Sequence, residues 1–198
     1  MPRTKEYGQI KRAETREKIL SSAVKLFAQK GLNATSAADI AKGAGVSVGL
    51  MYHYYKTKDE VFGALIKDAL NDMANFRKVL HRDECPLIIL TELVEDIIEE
   101  IKSDYSFSQW TVLLTHPLPD KYEPEWVDDF CNYHSQMIQE ITILIEKGQR
   151  IGKFKEGEPA VLSMLFNSIL VGTCIMHLLL EEHFIPPTVG MLTAFIVK

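Results

Sequence analysis

The sequence has few cysteines and no way to pair them all. Cys85, Cys131 and Cys174 are widely separated and odd in number, which excludes a full disulfide framework and a Cys-x-x-Cys metal knuckle. They are expected to be buried core thiols of a chain kept in a reducing compartment. Residues 1–18 are charged throughout and lack the apolar run of a secretory leader, so a cytoplasmic chain is expected. No stretch alternates apolar and polar residues over the length of a strand, and no segment repeats. The expected fold is therefore all-α. Catalytic patterns are lacking too. Adjacent carboxylates at Glu99-Glu100, Asp128-Asp129 and Glu181-Glu182 diverge on a helix, and none forms the Glu-x-x-His pattern of a di-iron bundle. His177 and Glu181 offer a metal two ligands at one spacing. No catalysis, metal or cofactor is expected, with an all-α metalloenzyme as an alternative.

Cationic charge is also scarce, but only beyond the first third. The chain of 198 residues carries a net charge of -5, which argues against nucleic acid. Residues 1–60 hold eleven Lys or Arg against six Asp or Glu, a balance of +5; residues 61–198 hold eleven against twenty-one, a balance of -10. A basic end suits phosphate contacts, and an acidic remainder keeps the rest of the molecule away from them. At 46% hydrophobic and 25% charged, the composition is that of a globular chain able to bury a core.

Helix signals recur along the chain. Arg3 to Arg12 reads as a polar, mobile arm, followed by a helix from Glu14 to Lys30 that Gly31 stops. A second helix starts at Ser36, whose spacing to Asp39 fits a capping box, with Thr35 as a competing cap. Gly45 ends it and Ser47 caps the third. Thr57 and Glu60 open a long helix with Val61, Phe62, Leu65, Ile66, Ala69, Leu70, Met73 and Phe76 on one face. Further helices are predicted over 87–101, 107–116, 124–150, 159–183 and 189–197, about nine in all. The break between the sixth and seventh helices lies at Pro117 and Pro119, and Pro124 reopens the helix. The boundary between domains is placed at 57/58, with a helix-turn-helix domain before it and a helical domain after it.

Residues 35–62 carry the chemistry. Ala41 lets two helices approach, Gly45 permits the turn between them, and Ile40, Val46 and Met51 bury against the first helix. The second helix, from Val48 to Tyr54, is left to enter a DNA groove. Leu26-Phe27, Gly31, Thr35, Ile40-Ala41, Ala44-Gly45-Val46-Ser47, Gly49, Tyr52, Tyr55 and Lys58 together resemble the amino-terminal signature of the TetR family of transcriptional regulators. The resemblance covers the first third of the chain. It implies phosphate contacts from Thr35, Ser36, Tyr52 and Lys58, and places Ser47, Val48, Gly49, His53 and Tyr54 at or near the groove. Tyr55 is read as a core aromatic. Val48 and Leu50 depart from the family's usual polar or small residues, which leaves the operator sequence open.

The resemblance also implies a homodimer, built from the last two long helices of each subunit, on a double-stranded operator. The stretch from Pro159 to Leu180 has no formal charge and is long enough to span a membrane. It contains Asn167 and His177 and has acidic rather than basic flanks, so no membrane is expected. Ser163, Phe166, Leu170 and Thr173 are placed near the dimer interface, and Ser168 and Gly172 are suited to close helix contact. A small-molecule pocket is implied among residues 85–180. Phe107, Trp110, Phe130, His134, Met137, Asn167 and His177 are its named candidates, and Trp126, Tyr133 and Met164 join them as apolar possibilities. The expected function is a ligand-responsive DNA-binding regulator, a repressor released from its operator by a small molecule. The alternative to it is a helical ligand-binding protein without DNA binding.

Overall fold

The computed structural model describes residues 3–115 and 126–198. Among these, nine α-helices run in the order α1 (Arg3–Ala34), α2 (Ala37–Gly43), α3 (Val48–Tyr54), α4 (Lys58–Leu80), α5 (Pro86–Ser103), α6 (Ser106–Leu113), α7 (Trp126–Arg150), α8 (Pro159–Leu180) and α9 (Val189–Thr193), with one turn of 3₁₀ helix after α8. The all-helical expectation holds. The expected breaks at Pro117 and Pro119 and the helix start at Pro124 lie outside the described residues. The chain forms two compact units, Met1–Lys67 and Asp68–Lys198, and α4 contributes its first turns to one and its later turns to the other.

In the first unit the boundaries follow from local chemistry. Gly31 takes φ +77° and breaks α1 where L residues rarely go. Ser36 caps α2: its Oγ accepts from the Asp39 amide at 3.1 Å while Asp39 accepts from the Ser36 amide at 3.1 Å. The far end of α2 closes as a Schellman turn. Gly45, at φ +66°, donates to the Lys42 carbonyl, and Val46 donates to that of Ala41. Ile19, Ala23, Phe27, Ile40, Ala41, Met51, Val61, Leu65 and Ile66 are all buried. Phe27 meets Phe62 edge to face with centroids 5.6 Å apart.

Arg3 to Arg12 is helical, continuous with α1, rather than an arm. Nothing in the segment stops a helix except Gly8, which a helix tolerates at a modest cost. Tyr7 and Ile10 stay exposed on that extension.

In the second unit α5 opens with Pro86 at its first turn and buries Ile89, Leu90, Leu93, Val94, Ile97, Ile98 and Ile101. These pack with Ile141, Leu144 and Ile145 of α7 and Phe166 and Cys174 of α8 in one apolar cluster. Glu140 of α7 is buried, and accepts from Arg77 Nε at 2.6 Å and pairs with His81 Nε2 at 2.5 Å. After α7 the chain doubles back. Phe154 packs against Gly148, where an added Cβ would come within 2.1 Å of its ring. The segment then pairs with the C-terminal residues through Lys155 N–H to the Ile196 carbonyl at 2.7 Å and Lys198 N–H to that of Lys153 at 3.3 Å. This contact shortens α9, which ends at Thr193 rather than reaching Val197. The cysteines also differ from expectation: Cys174 is buried, Cys85 half-buried and Cys131 exposed.

Candidate DNA-reading surface and ligand cavity

The second helix of the helix-turn-helix presents a bare outer face. Ser47 caps it by accepting from the Leu50 amide at 3.1 Å. Met51 points inward and is fully buried, which leaves Val48, Gly49, Leu50, Tyr52 and His53 exposed. A Cβ at Gly49 would meet nothing within 4 Å, so the backbone itself is open to close approach. Tyr54 is half-buried and meets His53 edge to face. Tyr55 is buried as a core aromatic.

Three residues expected on phosphate are engaged within the chain. Thr35 is 1% exposed, and its hydroxyl is within bonding distance of the carbonyls of Gly31, at 2.9 Å, and Leu26, at 3.3 Å. Its role is to tie down the end of α1. Lys58 Nζ donates to the carbonyls of Leu32, Asn33 and Thr35 at 2.7, 3.2 and 3.1 Å. An ammonium group there satisfies carbonyls left without helical partners by the break at Gly31. Ser36 stays exposed, but its hydroxyl donates to Asp39 at 2.8 Å. That bond, chiefly, and the Ser36 amide hold the Asp39 carboxyl below the usual range. The signal missed in the sequence is the unsatisfied carbonyl cluster after Gly31, which attracts Lys58 from 23 to 26 residues away.

A cavity of about 440 Å³ lies within the second unit. Ala69, Asp72, Met73 and Phe76 of α4 form one wall, and Leu93, Ile97 and Glu100 of α5 another. Phe107, Trp110 and Thr111 of α6, Tyr133, His134 and Met137 of α7, and Phe166, Asn167 and Leu170 of α8 complete most of it. The expected Phe107, Trp110, His134, Met137 and Asn167 therefore share one cavity, and Tyr133 joins them. Phe130 and His177 do not line it. Phe130 is buried, edge-on to His134 at 4.8 Å. His177 is buried between the rings of Tyr105 and Phe184, with Nδ1 2.8 Å from Ser108 Oγ. Met164 is exposed on the opposite side of α8, and the side chain of Trp126 lies outside the described residues.

Burial sets the charge states at this cavity. Burial lowers the His134 pKa against the opposing bond to the Leu114 carbonyl. A neutral ring donating from Nε2 to that carbonyl keeps Nδ1 as an acceptor. Burial, and then the nearby Asp72 carboxylate, push Tyr133 up to about 12, so its phenol is a neutral donor and acceptor. Burial likewise raises the Cys174 thiol and lowers His177.

The α8 residues expected at a dimer interface turn the other way. Ser163 is buried and donates to the Ile138 carbonyl at 2.9 Å; Phe166 and Leu170 line the cavity. Thr173 is half-buried at the edge of the outer face, with its hydroxyl on the Ile169 carbonyl. The exposed stripe is Val161, Met164, Leu165, Ile169, Ile175, Met176, Leu179 and Leu180, with Ser168 and Gly172 along its middle. In the single chain only 22% of the most apolar part of this helix is buried, at a mean hydropathy of 1.8.

Residues 19–65 match the model of a family described as bacterial regulatory proteins, tetR family. The transcriptional repressor KstR2 of Mycolicibacterium smegmatis is 33% identical over 91 residues, which are 46% of this chain and 44% of that protein. The transcriptional regulator TtgR of Pseudomonas putida is 31% identical over 137 residues, 68% of this chain and 60% of its own length. The matched parts thus span between about half and three fifths of those relatives. In fold, the chain is similar to the MbdR regulator from Azoarcus sp. CIB, with TM-score 0.71 and 20% identity over 91% of this chain and 93% of that one. It is also similar to KstR2 of Mycobacterium tuberculosis, with TM-score 0.69 and 20% identity over 92% and 95%.

Proposed function

We propose that this chain, which belongs to the tetR family of bacterial regulatory proteins, represses transcription from an operator that it leaves when a small molecule fills its cavity. The observation that carries the reading is the bare outer face of α3 on a capped, internally braced helix-turn-helix. Val48, Gly49 and Leu50 meet base edges or the sugar–phosphate wall of a major groove, and Tyr52 bonds a phosphate through its hydroxyl. Ser47, His53 and Tyr54 border that contact. Ser36 meets phosphate at the rim, and the exposed Lys56 takes the electrostatic part that Lys58 cannot supply.

One α3 reads too few bases to select a site, so two copies are needed, with recognition helices about 34–36 Å apart. The apolar outer stripe of α8 supplies the pairing face, and Gly172 allows helices to approach there. A second copy rather than lipid covers it, because Glu156, Glu158, Glu181 and Glu182 flank the helix. The regulator works in the cytoplasm, where its DNA lies. Light scattering at micromolar concentration tests the dimer, and a monomer there overturns it.

α4 joins the two activities. Lys58 at its start fastens the α1–α2 junction, and Ala69, Asp72, Met73 and Phe76 further along line the cavity. A ligand that prefers one position of α4 shifts the population of DNA-binding forms by its difference in affinity for them. Genomic footprinting of the protein, followed by binding to the recovered sites over a salt series, tests the DNA reading. Neutralising about six phosphates predicts a loss of roughly 10³-fold in affinity between low and moderate salt. Binding that ignores salt, or footprints without a shared sequence, overturns it.

A further inference from the structure

We infer that the cavity takes an apolar cation, an aromatic or aliphatic amine or quaternary ammonium compound, in preference to a neutral or anionic molecule of the same shape. This rests on the reading of the cavity as the ligand site and names the chemistry of its occupant. Two observations carry it. The first is the sign of the charged groups on the wall. Asp72 and Glu100 line the cavity, and both residues are also exposed to solvent, so the acidic side chains stand at its edge. Among the described residues no Lys or Arg lines it.

The second is the density of aromatic rings. Phe76, Phe107, Trp110, Tyr133 and Phe166 come from four different helices and all reach the wall. A cation placed over the faces of such rings gains from their quadrupoles, and more so as water is excluded. A carboxylate in the same place meets the negative faces of those rings and two like charges at the edge. The remaining polar groups do not reverse this preference. Asn167 is neutral, and Tyr133 keeps its proton. His134 is kept neutral by burial and uses Nε2 on a backbone carbonyl. The apolar walls, among them Met73, Leu93, Ile97 and Met137, then ask for a hydrocarbon body attached to the cationic head.

The test is a matched set of three ligands titrated into the full chain by calorimetry: phenylbutyl trimethylammonium, the same skeleton with carbon in place of the quaternary nitrogen, and a phenylalkanoate of equal length. The cation is expected to bind about 10-fold more tightly than the carbon isostere, with the carboxylate weakest. In the double variant Asp72→Asn, Glu100→Gln the ratio of cation to carbon-isostere affinity, both measured on that variant, should fall towards one. If the carbon isostere or the carboxylate matches the cation in the unmodified chain, or the advantage survives the double variant undiminished, the charge preference is wrong and the cavity reading stands. If none of the three binds, the cavity reading fails and the preference with it.

Discussion

The ammonium group of Lys58 donates to three backbone carbonyls at the α1–α2 junction. Replacing it with Met keeps the stem and orphans those carbonyls. The expected cost is about 1–3 kcal/mol of stability, with weaker DNA binding because α2 loses its anchor. The dependence of log affinity on log salt should keep its slope. A phosphate contact would instead remove roughly one unit of it. Melting curves and a salt titration of Lys58→Met separate the two, and a flattened slope would return Lys58 to the DNA surface. At the cavity, His134 has a pKa lowered by burial, so the unfolded chain takes up its proton first as pH falls. Stability from this group is complete above the unfolded value of about 6.5 and declines as pH drops below it. In His134→Asn the loss of melting temperature between neutral pH and about pH 5 should shrink. An unchanged loss would mean that His134 takes up its proton as readily in the folded chain as in the unfolded one.

Helix ends were legible in the sequence because they are local. Ser36 with Asp39, Gly31, Gly45 and Pro86 each settle their own neighbourhood within a few residues, and the structure places them as their chemistry requires. What a helix faces is not local. α8 is apolar almost all round, so periodicity alone cannot say which stripe packs inward. The resemblance places Ser163, Phe166 and Leu170 near an interface, whereas in the folded chain all three turn inward. The candidate cavity was half legible: ring-bearing positions on α6 and α7 converge, whereas Phe130 and His177 are absorbed by neighbours that no spacing rule reveals. The outer stripe of α8 gives the element its own prediction. Ile169→Glu, on the exposed face, leaves the chain folded and puts a carboxylate from each copy into an otherwise apolar seam. The variant should be monomeric by light scattering, with its helical content intact by circular dichroism and operator binding reduced at least about 10-fold. A dimer that survives this change would remove α8's outer face from the interface. Between α7 and the C-terminal segment, Gly148→Ala should destabilise the chain by about 1–3 kcal/mol, because Phe154 already occupies the space of the new methyl group. An unchanged melting curve would show that the ring can move aside.

Across the whole molecule, the proposed division into a basic unit for DNA and an acidic unit for a ligand gives regulation only if α4 couples the two. The coupling has a thermodynamic signature that no single-site measurement imitates. If a saturating ligand weakens operator binding by some factor, saturating operator must weaken ligand binding by the same factor. A coupling of about 1–3 kcal/mol, a factor of roughly 5–150, is the ordinary range. The experiment measures ligand affinity by calorimetry with and without operator, and operator affinity by anisotropy with and without ligand, in one buffer at one salt concentration. Equal factors above one in both directions are expected for a repressor that the ligand releases. A factor of one in both directions would mean that ligand and DNA occupy independent units and that α4 carries no signal. A ligand that tightens operator binding would keep the coupling but reverse the regulation, making the small molecule a corepressor. Lys58→Met should leave ligand affinity in the absence of DNA unchanged while it reduces the coupling factor, because it loosens α4 from the α1–α2 junction without touching the cavity wall.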